Sequence, residues 1–330
     1  MLLSHGGGGR ASHLFVGSVF GRLAAAAHPR QDAAVLPRPA GRIAVSTDSF
    51  VVTPCEFPGG SLGTLAACGT LNDVAVMGAR PEWLTAAFII EEGLPVDLLT
   101  RMVTDLQRAA DEAGVPVVAA DTKVVGRGAA DGLFITTTGG GAVRDDAAVG
   151  SDRAFPGDAV ILSGTIGDHG LAVMAARAAL PLEPPIESDC ACIAPLAHLL
   201  QDAAGPAVHC MRDPTRGGLA AALNEIAADS AVTIRVYEDL LPVRRTVREA
   251  CELLGLDPAH AANEGKLIAV VSADAAPSAL EALRSHPLGR EATLIGEVAD
   301  RSDGQVRLAT AFGAERVLDM PSGELLPRIC

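Results

Sequence analysis

Three carboxylates, two lysines and one cysteine carry the chemistry that can be read from residue type and spacing. Asp48 follows the short apolar stretch Ile43 to Thr47, Asp121 follows Val115 to Ala119, and Asp73 interrupts an otherwise apolar helical pattern between Leu71 and Val74. A carboxylate in apolar surroundings is costly unless it is paired, hydrogen-bonded or metal-bound. Three carboxylates from separate elements suit Mg²⁺, a hard cation that takes one or two of them and completes its shell with phosphate and water oxygens. Helix capping for Asp48 and Asp121, and a salt bridge for Asp73, account for the same residues as well. Of 26 basic residues only Lys123 and Lys266 are lysines. An ammonium has a tunable pKa and a guanidinium does not, so these two positions are candidates for phosphate contact or proton transfer, with compositional drift as the alternative. Cys330 is the last residue, after a stretch punctuated by Pro321, Gly323 and Pro327.

Dedicated phosphate motifs are missing: there is neither a Walker loop nor a strand-linked G-x-G-x-x-G. Glycine-rich substitutes exist. Gly6, Gly7, Gly8 and Gly9 precede Arg10 and could wrap a phosphate through backbone N–H groups, or fray. Gly167-Asp168-His169-Gly170 and Asp213-Pro214-Thr215-Arg216-Gly217-Gly218 each open a helix after a strand, where N–H groups favour an anion; simple capping by Asp168 and Asp213 is the alternative. Gly59-Gly60-Ser61-Leu62-Gly63 spells the nucleophile-elbow pattern, but Pro54 and Pro58 break the strand that an elbow requires. A glycine-rich helix entry is the better reading.

These residues need elements to hold them. Strands are expected at Ile43 to Thr47, Trp83 to Ile90, Val115 to Ala119 and Leu133 to Thr138, with helices over Leu14 to Ala27, Gly60 to Met77 and Val96 to Ala113. After Pro156-Gly157 a second unit is expected to begin at Ala159 to Ser163. It continues with helices near 169–179, 191–203, 217–229, 244–254 and 275–285, and strands near 232–236, 267–272 and 292–298. The organisation is α+β in two domains, 1–150 and 151–315, followed by a tail over 316–330 with too little apolar surface to order itself. Length agrees, since 330 residues suit two domains.

Composition bounds the function. A net charge of −14 argues against nucleic-acid binding, which needs clustered cations. No apolar run approaches the length of a membrane span. Arg10, Arg22 and Arg30 without an acid before Asp32 superficially resemble a transit peptide, but the segment reads better as an amphipathic helix. Seven cysteines at irregular spacing point to a reducing cytoplasm rather than a disulfide framework.

Taken together, the motifs resemble the HypE family of hydrogenase maturation factors, within the aminoimidazole-ribonucleotide synthetase (PurM-like) ATP-binding superfamily. The resemblance rests on Leu3-Ser4-His5-Gly6, Ser46-Thr47-Asp48-Ser49-Phe50, Phe57-Pro58-Gly59-Gly60, Asn72-Asp73-Val74-Ala75-Val76, Asp121-Thr122-Lys123-Val124-Val125, the two helix-opening segments, Asn263-Glu264-Gly265-Lys266 and the terminal Pro327-Arg328-Ile329-Cys330. It implies a PurM-like fold, a homodimer whose N-terminal domains pair into a β-barrel, and ATP sites along the cleft. It also implies ATP-dependent dehydration of a carbamoyl group on Cys330 to a thiocyanate, loaded by the carbamoyltransferase HypF and passed to iron on a HypC–HypD scaffold. The resemblance assigns Cys330, Lys123, Glu264 and, secondarily, His169 to catalysis. It assigns Gly6, Gly7, Gly8, Asp48, Gly59, Gly60, Asn72, Thr122, Asp168 and Arg216 to ATP, and Asp48, Asp73 and Asp121 to Mg²⁺. Asp32 stands alone where relatives often carry two acids, and Arg328 is suited to guiding a partner or anchoring the tail. Two alternatives stay open: a superfamily kinase or synthetase acting on a free small molecule, and a non-catalytic metal or redox chaperone built on Cys190, Cys192 and Cys330.

Overall fold

The structure, a computed structural model, describes the chain apart from residues 3–4, 6–9, 22–32, 35, 38–39, 181, 302–303, 311 and 321–328. The expectations for Gly6, Gly7, Gly8, Asp32 and Arg328 lie outside the described residues. Helix α1 (Arg10–Val19) leads into the first layer pair, made of β1 (Ile43–Phe50), the two-residue strands β2 (Glu56–Phe57) and β3 (Gly60–Ser61), α2 (Leu62–Val76), β4 (Ala79–Glu91), α3 (Val96–Glu112), β5 (Val117–Val125) and β6 (Leu133–Val143). A four-stranded sheet of order β1-β6-β4-β5 forms, parallel only between β4 and β5.

Helix α2 is apolar on every side, and every residue except Asp73 is buried; such a helix must be covered all round. Helix α3 is amphipathic and packs on it through Leu99, Met102, Val103, Leu106, Ala109 and Ala110. Ser61 caps α2, accepting from Thr64 N at 3.3 Å and donating to Asp105 Oδ2 at 2.6 Å, so the elbow-like serine is a helix cap. Burial alternates along β1. Its other face carries Ile43 and Val45, 50% and 59% exposed, beside an outward Thr47–Thr138 and Ser49–Thr136 hydrogen-bonded pair.

The second unit contains β7 (Ala159–Leu162), α4 (Asp168–Ala178), α5 (Ala194–Ala204), β8 (Val208–Arg212), α6 (Gly218–Ser230), β9 (Val232–Tyr237), α7 (Arg245–Leu254), β10 (Ile268–Val271), α8 (Ala276–Arg284), β11 (Thr293–Arg301), β12 (Gln305–Ala309) and β13 (Glu315–Val317). Its seven strands run in the order β13-β12-β9-β11-β7-β10-β8. Central strands β7 and β10 are buried on both faces. Val160, Leu162, Ile268 and Val270 meet the core under α6, while Ile161, Ala269 and Val271 meet the core under α5 and α8.

Departures from expectation have local causes. Strand β4 begins at Ala79 and passes Pro81 with a register shift before Trp83, where sequence pattern places the start. Helix α5 starts at Ala194 rather than 191, because Asn72 holds the preceding backbone: its Nδ2 donates to Ala191 O at 3.0 Å and its Oδ1 accepts from Ile193 N at 2.8 Å. Strands β8, β12 and β13 are unanticipated; β12 and β13 lie at the sheet's margin, where pairing rather than apolar periodicity makes the strand. Both described parts of the 316–330 stretch are docked: Leu318 is fully buried beside β12, and Ile329 is 5% exposed in the core of the first unit.

Candidate active site

The site lies where β1 and α2 of the first unit meet three segments of the second: 187–193, 213–216 and 263–266. Two glycines allow the approach. A Cβ on Gly59, whose φ is +86°, would lie 2.5 Å from Ser188 O, and one on Gly265 would lie 1.8 Å from Asp189 O. Any side chain at either position would push the 187–191 segment away from its neighbours. Pro58 O accepts from Ser188 N at 2.8 Å, and Asp189 Oδ1 accepts from Glu264 N at 3.1 Å. Asn72 adds a second tie between the units through Glu264 O at 3.3 Å, so its amide is committed to protein backbone.

Five carboxylates gather here. Asp73 sits against Asp48, accepts from Ser46 Oγ at 2.6 Å, and is pushed up to about 6 by burial and by the neighbouring Asp48 charge. Asp213 is pushed up to about 7 by burial and by Asp73, with Arg212 acting the other way. Glu264, 2% exposed, is raised well above the usual range by burial and then by Asp213, Asp189, Asp48 and Asp73. Its Oε1 has no hydrogen-bond partner. Asp189 also pairs with Lys266 Nζ at 3.0 Å, and this second lysine is 8% exposed.

The Cys330 end of the chain docks into this cluster. A main-chain oxygen of Cys330 accepts from Val51 N at 3.1 Å, and the carbonyl of Ile329 accepts from His169 Nε2 at 2.6 Å. Burial, then the Glu264 charge, pushes the Cys330 thiol up to about 12; Arg216, exposed at the entry to α6, offsets part of this. His169 is fully buried, and burial lowers its pKa. Asp168 is also fully buried; burial raises its pKa against the hydrogen bond it accepts from Thr165.

Cys330, Glu264, Asp48, Asp73 and Arg216 therefore share one electrostatic environment, flanked by His169, Asn72 and Gly59. Gly60 lies against Phe57 and Cys190. Asp121, Thr122 and Lys123 are elsewhere, on β5. Lys123 Nζ lies 2.7 and 2.9 Å from the Asp121 carboxylate, both side chains are about two-thirds exposed, and neither contributes to the charges acting on Glu264 or Cys330. Strand pairing sets Asp121 beside Ala87 and Lys123 beside Ile89. Sequence reasoning missed Asp213 as a cluster member and Ser188 and Asp189 as supports. Lys266 was flagged by lysine scarcity, but Ser188-Asp189 lies in an aperiodic loop that gives no pattern to read.

Among the described residues, no three His, Cys, Asp or Glu side chains converge on a ready-made metal site. Asp48 and Asp73 in contact, with a half-buried Asp73 whose pKa is raised by desolvation and by Asp48, still fit a hard divalent cation that draws its other ligands from phosphate. A cavity of about 750 Å³ lies over α2, α3 and α5 and reaches Gly59 and Gly60 at the edge of the site; Cys68, Cys190 and Cys192 line it with Arg80 and Arg108.

Comparison with known proteins agrees with this layout. Models of the AIR synthase related protein family match residues 30–143 (N-terminal domain) and 156–309 (C-terminal domain). Carbamoyl dehydratase HypE of Rhodobacter capsulatus is 49% identical over 99% of this chain and 97% of the relative, and that of Escherichia coli K12 is 47% identical over 99% and 98%. A crystal structure of hydrogenase maturation protein HypE in complex with ATP superposes with a TM-score of 0.94 at 46% identity, covering 100% of this chain and 99% of that one. A HypE–HypF complex matches with a TM-score of 0.82 at 50% identity, over 84% and 90%. Thiamine-monophosphate kinase of Stenotrophomonas maltophilia K279a, 22% identical with a TM-score of 0.67 over 89% and 95%, shares the fold alone. With a two-domain PurM-like α+β fold and relatives matched along nearly its whole length, the chain belongs to the HypE family of carbamoyl dehydratases.

Proposed function

We propose that this chain removes water from an S-carbamoyl group on Cys330, with ATP and Mg²⁺, to leave a thiocyanate that supplies the cyanide ligand of a [NiFe]-hydrogenase iron. The observation that carries this reading is the docking of Cys330 beside Glu264, a buried carboxyl with an unpartnered oxygen. Bound Mg-ATP supplies the phosphoryl group that makes the carbamoyl oxygen a leaving group. Asp48 and Asp73 are the ligands this chain offers to Mg²⁺, and Arg216 with the Gly6–Gly8 and 59–60 segments is suited to the phosphates. Glu264 takes the proton from the carbamoyl nitrogen. Burial and the neighbouring carboxylates raise its pKa, and cationic charge added at Asp48 and Asp73 acts the other way. Water is kept from the docked end by the burial of Ile329.

A docked thiol pushed up to about 12 is a poor nucleophile, so loading requires Cys330 to leave this site and enter that of HypF. The 316–330 segment is accordingly a tail that docks for dehydration and undocks for loading and for transfer to HypC–HypD. The remaining units are 1–150 and 151–315. The apolar outer face of the first sheet, with Ile43, Val45 and Ile89 exposed, suits pairing with a second copy into a closed barrel. Lys123 and Asp121 then act across the homodimer on the partner's cleft, since they do not reach their own Glu264. Among the described residues no helix is long and apolar enough to cross a membrane, and the reducing-compartment cysteine pattern favours the cytoplasm.

The test is the mass of the C-terminal peptide after loading with HypF and carbamoyl phosphate. A carbamoyl adduct on Cys330 that becomes one water lighter only with Mg-ATP is the expected result. An unmodified Cys330 beside ATP turnover on a free metabolite would overturn it.

A further inference from the structure

His169 is a secondary catalytic candidate by sequence, but its hydrogen bonds suit a different task. A carbonyl can only accept, so His169 Nε2, 2.6 Å from Ile329 O, must carry the proton. The neutral ring then has only an acceptor left at Nδ1, which faces Ser188 Oγ at 2.8 Å. Ser188 therefore donates to the ring, and its oxygen in turn accepts from Cys190 N at 3.1 Å. Both ring nitrogens are occupied by protein, the side chain is fully buried, and Phe57 packs edge-on at 5.4 Å to hold the plane. No position on this imidazole is free to exchange a proton with a substrate.

We propose that His169, set in its tautomer by Ser188, is a positioning residue: with the buried side chain of Ile329 it forms a latch that grips the backbone next to Cys330 and keeps the end of the chain docked at the acid cluster. This rests on the dehydratase reading only for its purpose, not for its existence. The latch touches a carbonyl and an isoleucine, and Val51 N likewise donates to a main-chain oxygen of Cys330 rather than to its side chain. It is therefore indifferent to whether the sulfur carries hydrogen, carbamoyl or cyanide, and holds all three forms alike. Burial keeps the ring neutral, so the latch does not open through His169 protonation near neutral pH.

The test reads the docked fraction directly. The protein is exposed to iodoacetamide, and the alkylation rate of Cys330 is followed in the C-terminal peptide, apart from the other thiols. His169→Phe, which cannot donate, is expected to speed alkylation roughly tenfold, the scale of one lost buried hydrogen bond. His169→Gln, which can donate an amide N–H to Ile329, is expected to stay within about twofold of wild type. Ile329→Ser, an independent variant at the chain's end, is expected to match His169→Phe, with thermal unfolding recorded beside it to show that the rest of the chain stays folded. An unchanged rate in both His169→Phe and Ile329→Ser overturns the latch, as does a His169→Gln rate equal to that of His169→Phe. If alkylation behaves as stated but the carbamoyl adduct never loses water with Mg-ATP, the dehydratase reading falls and the latch stands.

Discussion

Lys266 and Lys123, the two lysines of a chain whose other cations are arginines and histidines, occupy opposite surroundings. Lys266 is 8% exposed and bound to Asp189, whose other oxygen receives the Glu264 N–H. Lys123 stands in the open on β5, where its Nζ pairs with its near neighbour Asp121 and reaches Thr122 O. A buried pair tied to backbone fixes a shape, and removing one member is severe. An exposed pair contributes little to stability and leaves its ammonium free to meet a ligand. One side of the site is thus built into the protomer, while the other is available to something outside it.

The sharpest way to test the built-in side is Glu264→Gln, which keeps the shape and removes the base. Loading of Cys330 by HypF should be unchanged, and water loss with Mg-ATP should fall by about 10²- to 10⁴-fold, measured on the C-terminal peptide. Next is Lys266→Met, which leaves the buried Asp189 charge without its counter-ion and should lower unfolding free energy by about 3–5 kcal/mol in urea titration. Adding Asp189→Asn to the same chain should recover a large part of that loss, because the cost lies in the unpaired charge rather than in the missing bond.

The exposed side should respond in the other currency. Lys123→Met should change stability by no more than about 1 kcal/mol, yet dehydrate about 10- to 100-fold more slowly. Mixing Lys123→Met with Glu264→Gln then separates action within a protomer from action across the dimer. If Lys123 serves the partner's cleft, mixed dimers hold one intact site and activity returns on mixing. If it serves its own, no mixed dimer has an intact site and activity stays at the level of the separate variants.

The same contrast explains what could be read from sequence. Residues that break a local rule were visible: Asp73 in an apolar helix, two lysines among arginines, and glycines at helix entries. The strands and helices that bear them follow from periodicity, so β1, α2, α3 and α6 fall close to expectation. What pattern could not reveal is which partners a side chain finds. Asn72 looks like a ligand residue and is a bracket between two units, His169 looks like a base and holds a carbonyl, and Ser188 and Asp189 sit in a loop without period. Nor does spacing tell that Asp48 and Asp121, both expected to end strands but in fact inside β1 and β5, part company, since that depends on strand order and on which way each side chain points.

The last effect is a gradual slope rather than a step, and it concerns the charge of the built-in side. Asp213 sits at about 7 in the folded protein because of burial and Asp73, against about 4 in the unfolded chain. A raised carboxyl binds more protons folded than unfolded, so its contribution is largest below pH about 4 and declines as pH rises through about 7, by at most about 1.4 kcal/mol per pH unit. His169, buried neutral, slopes the opposite way below its unfolded value, so wild-type stability alone would blur the two. The difference between Asp213→Asn and wild type cancels His169. The variant should gain on wild type as pH rises from about 4 to about 7, with the curves running parallel above that. Urea midpoints across this window measure the gap, and parallel curves throughout would show that Asp213 is not held in the acid cluster. Mg²⁺ should flatten the wild-type slope, because a cation at Asp48 and Asp73 neutralises the charge that raises Asp213.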